Sequence, residues 1–575
     1  MVQLLRFLKP YCTPISLVLV LAILQSLGSL YLLTLTSDIV DGGIVKSDSD
    51  AILRTGSVML LITFGGSLCA MIGALFAARV AVGFGRDVRL CLFTHVAKFS
   101  LREFDAVGAA SLITRTTNDT NQVQAVLITM MTTAVAAPMI AIGGIIIAFL
   151  TDGALAWILV VAVPLLTTTT LLLCKWAFPL FTVMRRQLDR LNLILVEGLA
   201  GARVIRAFAR NTYEQERFDG ANRDLTNTAI TVNRSVAALW PLMMLVLNVS
   251  TVAIVWFGAI RIDNGQMQVG ALIAFIQYAL QILFAMLILS TMFIILPRAV
   301  ASATRINEVL AMKPEIRDIA DVTHADIAAG CITFDDVTFS YPGAEAPALT
   351  HISFSARPGQ VTAIIGGIGA GKSTLISLLL RFHDVERGRV LVDGVDVREQ
   401  PQLELRAKIG LVPQTAVIFS STVAENIRYG DETASEDEVY HAAEVAQATE
   451  FIQTLSEGFN SAIAQDGVNL SGGQKQRLAI ARALVRRPQI YIFDDCFSAL
   501  DYATDAKLRT ALHKETADAT VLIVAQRVST IMNADQILVL DEGHLVDSGT
   551  HHELLGRSPI YREIVLSQFP VEKLA

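Results

Sequence analysis

The sequence predicts an all-α membrane domain of six spans with helices extended below the membrane, followed by an α/β domain built around a phosphate-cradling loop. Three observations carry this. Of 575 residues, 53% are hydrophobic and only 17% charged. A soluble protein carries about a quarter charged residues, so part of this chain sits in lipid. Six apolar stretches reach the roughly 20 residues that a bilayer crossing needs. From Cys331 onward, short apolar strands alternate with helices and Gly-rich turns, the pattern of an α/β domain.

The N-terminus lacks a short apolar region followed by a small-residue cleavage site, so no removable signal peptide is expected. Leu4, Leu5, Phe7 and Leu8 stand beside Arg6 and Lys9. That spacing fits a short helix lying on a membrane surface, or a frayed basic leader. The spans are expected at residues 15–36, 57–80, 128–150, 155–177, 237–260 and 270–296. The first, third and fifth connections are short and poor in positive charge, which puts them outside. The second holds Arg86, Arg89, Lys98, Arg102 and Arg115; the fourth holds Arg185, Arg186, Arg190, Arg203, Arg206 and Arg210. Both are therefore cytoplasmic, as are both termini. Helical apolar spacing continues through them, as at Leu188, Leu191, Leu195 and Leu199. Each must turn back, and the turns are expected near 109–118 and 208–215. The membrane domain then covers residues 1–310, a linker 311–330, and the soluble domain 331–575. Residues 316–326 are polar and are expected to cross the soluble domain's surface. The six cysteines (Cys12, Cys69, Cys91, Cys174, Cys331, Cys496) are scattered, and read as small buried hydrophobes rather than disulfides or a zinc site.

The soluble domain carries the chemistry. Gly366, Gly367, Ile368, Gly369, Ala370, Gly371, Lys372, Ser373 and Thr374 fit G-x-x-x-x-G-K-[ST]. An apolar strand precedes them and an apolar helix follows. The glycines let backbone N–H groups wrap phosphates, and the helix N-terminus adds its positive end. Lys372 would reach the β- and γ-phosphates of ATP, and the Ser373 hydroxyl would ligate Mg²⁺. The run 490–494 reads as a buried strand ending in Asp494, a carboxylate that can hold Mg²⁺ through water. Gln414 is a candidate sensor of Mg²⁺ and the attacking water, or a plain loop residue. Tyr341 could stack on adenine or pack in the core. Ser471, Gly472, Gly473 and Gln474 open a second helix and form a second anion-binding N-terminus. One nucleotide does not need two such sites. The second is useful if it closes over the ATP of another copy, which predicts a head-to-tail dimer.

Over nearly its whole length the chain resembles a half-transporter of the ATP-binding cassette (ABC) exporter family, of the multidrug and lipid type. Leu470 to Gln474 reads as the family signature, which is far more specific than the phosphate loop. Tyr341 matches the adenine-stacking position, Gln414 the Q-loop, Ser498 to Asp501 the D-loop, and Ala464 to Gly467 the loop before the signature. The resemblance implies the type I exporter fold, coupling helices at the two turn-backs, and an ATP-hydrolysing transport subunit with ATP and Mg²⁺ as cofactors. It also implies a bacterial cell membrane location.

Two positions depart from the family pattern. Asp495 stands where the family has the Glu that polarises the attacking water, and Gln526 where it has a γ-phosphate-contacting His. Asp is one methylene shorter, and a misplacement of about 1 Å can cost 10²-fold in rate. Gln hydrogen-bonds but carries no positive charge. Beside an intact phosphate loop and signature, the pair points to the slow-site subunit of a heterodimer. A slow homodimer is the alternative.

The net charge of −7 argues against a general nucleic-acid binder. An ATP-gated channel would favour charges inside the spans, which are nearly free of them. An importer on the same scaffold is weakened by the lack of an extra N-terminal binding domain. The expected partners are a second half-transporter, membrane lipid and a small amphipathic or hydrophobic cargo.

Overall fold

The computed structural model describes residues 2–318 and 329–568. The chain divides into two compact units. One comprises Met1–Lys98 with Val107–Lys313; the other comprises Phe99–Ala106 with Pro314–Ala575.

The first unit holds six long helices: α1 (Cys12–Asp38), α2 (Ser49–Val96), α5 (Thr120–Thr151), α6 (Gly153–Ala200), α8 (Asn211–Asp263) and α9 (Val269–Ala311). Short helices α3 (Leu101–Val107), α4 (Ala109–Thr114) and α7 (Ala202–Ala207) lie between them. Each expected span falls inside one long helix. Five helical segments among the described residues are long and apolar enough to cross a membrane, and α6 adds the shorter apolar run Gly153–Thr169. At 1.5 Å per residue, the 48 residues of α2 reach about 72 Å, more than twice a ~30 Å hydrocarbon core. The surplus forms the cytoplasmic extensions.

Acidic caps start two of these helices. Asp48 accepts from the N–H groups of Asp50 and Ala51. Asp152 accepts from those of Ala154 and Leu155, and also takes an ion pair from Arg261 at 2.7 Å. Leu30, Leu155, Leu159, Phe275, Tyr278 and Ile282 form the buried centre of the bundle. Small residues let the helices approach: a Cβ at Gly144 would lie 2.7 Å from the Ile282 side chain. The N-terminal segment Val2–Tyr11 is a 3₁₀ helix with Leu4 buried, and the Tyr11 hydroxyl donates to Asp87 at 2.8 Å.

The turn-backs fall earlier than the sequence placed them, the first wholly before 109–118 and the second overlapping 208–215 only at 208–210. The first lies at residues 97–108, around α3, and ends at Gly108, whose φ of +78° suits glycine. The polar run after it stays helical, passing through a π turn (Arg115–Asp119) into α5. The hydroxyls of Thr114, Thr116 and Thr117 bond back to carbonyls four residues earlier, and buried Asp119 pairs with Arg305 of α9. The second turn lies at 201–210, around α7, and α8 already begins at Asn211. The cysteine reading also needs correction. Among the described cysteines only Cys496 is buried; Cys12 is exposed at the start of α1, and none of the five is paired.

Among the described residues, the second unit contains two sheets. The strands are β1 (Ile332–Phe339), β2 (Leu349–Ala356), β3 (Val361–Gly366), β4 (Arg387–Val392), β5 (Val395–Asp396), β6 (Ile409–Val412), β7 (Ile490–Asp494), β8 (Thr520–Val524), β9 (Gln536–Asp541) and β10 (His544–Gly549). An antiparallel sheet has the order β2-β1-β4-β5, and the main sheet β10-β9-β3-β8-β7-β6. In the main sheet β9, β3, β8, β7 and β6 are parallel. Their continuous apolar runs are buried on both faces, as parallel sheets require.

The segment Phe99–Ala106 belongs to this unit through α3. Glu103, only 8% exposed, accepts from the Ser100 N–H and hydroxyl at 2.7 and 2.6 Å and from the Glu315 N–H at 3.2 Å. Arg102 pairs with the Glu315 carboxylate at 2.7 Å. Further on, Ile316 is buried, and Asp318 accepts from the Gln402 backbone and side chain at 3.0 Å. The rest of the expected surface crossing, residues 319–328, lies outside the described residues.

Candidate nucleotide-binding site

Strand direction assembles this site. β3, β8, β7 and β6 run parallel, so their carboxyl ends share one edge of the sheet. β3 ends at Gly366, β7 at Asp494 beside Val524 of β8, and β6 at Val412. The residues that follow these ends are the phosphate loop, Asp495, Gln526 and Gln414. Ligands of open α/β sheets bind at such an edge.

The loop from Gly366 to Gly371 leads into α10 (Lys372–Leu379), the first turn of which carries Ser373 and Thr374. Gly369 and Gly371 have φ of +82° and +95°, the left-handed region that side chains disfavour. A Cβ at Gly366 would sit 2.1 Å from the Leu540 carbonyl. Ile368 is fully exposed at the tip, Gly367 has open space, and Ala370 is buried. The Lys372 ammonium folds back on the loop, donating to the carbonyls of Gly366 and Gly367 at 2.9 and 2.6 Å. Burial holds its pKa below the usual lysine value. An ammonium hydrogen-bonded to two loop carbonyls, with the charges of Asp494 and Asp495 acting on it, is placed beside the loop as phosphate binding would need.

Asp494 and Asp495 both have raised pKa values. Burial is the main cause for each, and the charge of Asp495 adds to it at Asp494. Two adjacent carboxyls that resist ionising suit a cation. Asp494 ends β7 and Ser373 stands in the first turn of α10, the two oxygen donors expected for Mg²⁺. Asp495 has a φ of +45°, strained for a residue with a side chain. Its backbone N–H donates to the Val524 carbonyl at 2.8 Å, and its carbonyl accepts from the Ser498 hydroxyl at 2.8 Å. The Gln526 backbone N–H and the Gln414 carboxamide both favour its charged form.

Tyr341 stands near the same helix. Its hydroxyl and that of Thr374 are 3.1 Å apart, and its ring, 40% exposed, meets Phe339 and His383 edge-on. An exposed face is what adenine stacking needs. The signature residues are separate: among the described residues no hydrogen bond joins Ser471–Gln474 to the phosphate loop. Ser471 caps the signature helix (Gly472–Val485) through a reciprocal box with Gln474. The Ser471 N–H donates to the Gln474 carboxamide at 2.8 Å. A Cβ at Gly473 would lie 3.1 Å from the Ala499 carbonyl, so glycine permits close approach to the segment 498–501. Lys475 donates to the Asp466 carbonyl at 2.7 Å.

Two supporting residues escape motif reading. Gln476 of the signature helix donates to the Gln414 carbonyl at 2.6 Å. Gln568, the last residue of the C-terminal helix (Pro559–Gln568), brackets the segment after β8. Its carboxamide donates to the Gln526 carbonyl at 2.8 Å and accepts from the Val528 N–H at 2.8 Å. No local signal marks either residue; only the fold brings them there.

A membrane-spanning helical domain joined to a phosphate-loop ATPase with its own signature defines an ATP-driven transport subunit. The comparisons narrow that class. A family model for the ABC transporter transmembrane region matches residues 15–286, and one for the ABC transporter ATPase matches residues 349–498. An uncharacterized ABC transporter ATP-binding protein of Mycobacterium tuberculosis is 44% identical over 98% of this chain and 97% of its own length. An ATP-dependent lipid A-core flippase of Aromatoleum aromaticum is 35% identical over 90% of this chain and 85% of its own. A solved bacterial Atm1-family ABC exporter with ATP bound superposes with a TM-score of 0.80 at 28% identity, covering 98% of both chains. The chain belongs to the ABC transporter family. It is an exporter half-transporter with the type I fold, a multi-pass membrane protein whose second unit is the ATPase.

Proposed function

We propose that this chain is the slow-site subunit of a heterodimeric exporter of amphipathic or hydrophobic compounds. Its phosphate loop, Asp494 and Tyr341 would bind Mg²⁺ and ATP. Its signature, Ser471–Gln474, would complete the fast site whose phosphate loop belongs to the partner. The observation that carries this is the pair Asp495 and Gln526, beside an intact loop and signature. Asp495 is short for its task, and its carboxyl is already occupied by neighbouring groups. A general base must reach the proton it takes, yet Gln414 and the Gln526 N–H already engage this carboxyl. Gln526 adds no positive charge for the developing negative charge. What this chain's residues do is hold phosphates and cation in register, so that binding and release of ATP drive the change in the spans. That change can draw only on the difference in ATP affinity between the two states. Relatives described as lipid A-core flippases favour a lipid among the cargoes.

The test is ATP hydrolysis by the purified chain alone and with the half-transporter of a neighbouring gene. Little activity alone and strong activity in the pair, abolished by replacing the partner's catalytic Glu, is the expected result. Asp495→Glu should then raise turnover at this site by about 10-fold or more. Full activity alone, lost in Asp495→Asn, would instead make the chain a homodimer with Asp495 as its working base.

A further inference from the structure

The six apolar stretches contain three glutamines in all: Gln25, Gln277 and Gln281. All three line one cavity of about 840 Å³ inside the helical unit, bordered by α1, α5, α8 and α9. Gln25 lies at the centre of its stretch. Gln277 and Gln281 flank the centre of the span Val269–Leu289 and share one helix face at i, i+4. They therefore sit at mid-membrane depth, Gln25 exposed and Gln277 half-buried toward the cavity, where polar side chains mark a pathway rather than a lipid-facing wall. Gln281 is partly satisfied as helix glue, donating to the Ser29 hydroxyl at 3.2 Å. The Gln25 and Gln277 carboxamides have no hydrogen-bond partner among the described residues. Leucine would be cheaper at both positions, so a purely structural role does not account for them. Thr132 and Thr133 add hydroxyls to the same wall, and Phe284 and Met244 supply apolar area. No described lining residue is ionisable.

We infer that this wall is a cargo-binding site for a neutral amphiphile, whose polar part both donates and accepts hydrogen bonds, as an amide or a hydroxylated headgroup does. The inference rests on the exporter reading and names its cargo class. A carboxamide offers two donors and two acceptor sites, so Gln25 and Gln277 read an amide or hydroxyl equally. A charged cargo would find no counter-charge on this wall, and leaving water unpaired carries a penalty that selects against it. The volume falls in the range of small-molecule sites.

The test is direct binding to the detergent-solubilised full chain, followed by fluorescence anisotropy. The probes are three dyes sharing one aromatic body, carrying a neutral amide, a carboxylate or a quaternary ammonium, plus a fluorescent monoacylglycerol. A neutral probe should bind at least tenfold more tightly than either charged dye. The better of the two neutral probes separates drug-like from lipid cargo. Gln25→Leu and Gln277→Leu should each weaken that binding about tenfold. Gln277→Glu should shift preference toward the ammonium dye, a gain that misfolding cannot produce. Equal or tighter binding of a charged dye, or Leu variants that bind the neutral probe unchanged, would overturn the proposal. ATP-dependent uptake is measured separately, in inverted vesicles holding the chain together with its partner half-transporter. Binding without uptake would sink the exporter reading and leave the cargo site standing.

Discussion

Asp494 and Asp495 carry opposite obligations at different stages. Without a cation their charges are unwelcome; with Mg²⁺ they are required. Burial raises both pKa values above the usual aspartate range. A carboxyl raised in the folded state is deprotonated first in the unfolded chain. Its unfavourable contribution to stability is therefore absent below the unfolded pKa of about 3.9 and grows as pH rises through the folded value. Asp494→Asn should then raise the melting temperature of the nucleotide-free protein at pH 7 by roughly 2 °C. The gain should shrink as pH falls toward 4, and Mg²⁺-dependent stabilisation by ATP should be lost. Thermal melts across pH with and without Mg-ATP check this. Gln568 acts on the same site through the backbone. Its two hydrogen bonds fix the backbone on either side of Arg527, just after the Gln526 N–H that faces Asp495. Gln568→Ala should lower the ATP turnover of the assembled transporter several-fold with KM for ATP little changed. An equal rise in KM would mean a general loosening of the domain. The loop and signature residues were readable because their chemistry is local. Gln568 was not, because it lies 40 residues from Val528 and only the packing of the C-terminal helix brings it near.

At the scale of elements, α3 is the piece most easily misread. Its seven residues carry no motif, and the Thr- and Asn-rich run after Gly108 looks more like a turn than α3 does. Threonine hydroxyls that bond back along the helix, and an aspartate paired across to α9, keep that run wound. Sequence periodicity cannot see the second of these, since Arg305 is 186 residues away. The buried carboxylate of Glu103 anchors α3 by joining the Ser100 and Glu315 N–H groups. Removing it strands these donors, a cost of about 1–3 kcal/mol each where water cannot reach. Glu103→Ala should reduce cargo stimulation of ATP hydrolysis severalfold while nucleotide binding persists. Fluorescent nucleotide titration beside a stimulated ATPase assay separates the two effects.

For the whole molecule, hydropathy located the long helices because lipid demands continuous apolar runs, and the alternation of strands and glycines located the ATPase because a parallel sheet is buried on both faces. The boundary between the units was only half visible. Composition changes once along the chain, near Cys331, whereas the compact units change three times, because Phe99–Ala106 leaves the helical sequence to join the ATPase.

That excursion means the ATPase is not a detachable cartridge. A fragment cut at the compositional boundary would leave behind α3 and the strip from Glu315 to Asp318. It would bare the hollow lined by Phe339, Phe382 and His383, which those residues help to close. Such a fragment should be prone to self-association, and supplying the peptide 99–106 in trans should relieve it. In evolutionary terms, the two halves of this chain cannot be exchanged between relatives as blocks unless the short strip travels with its ATPase.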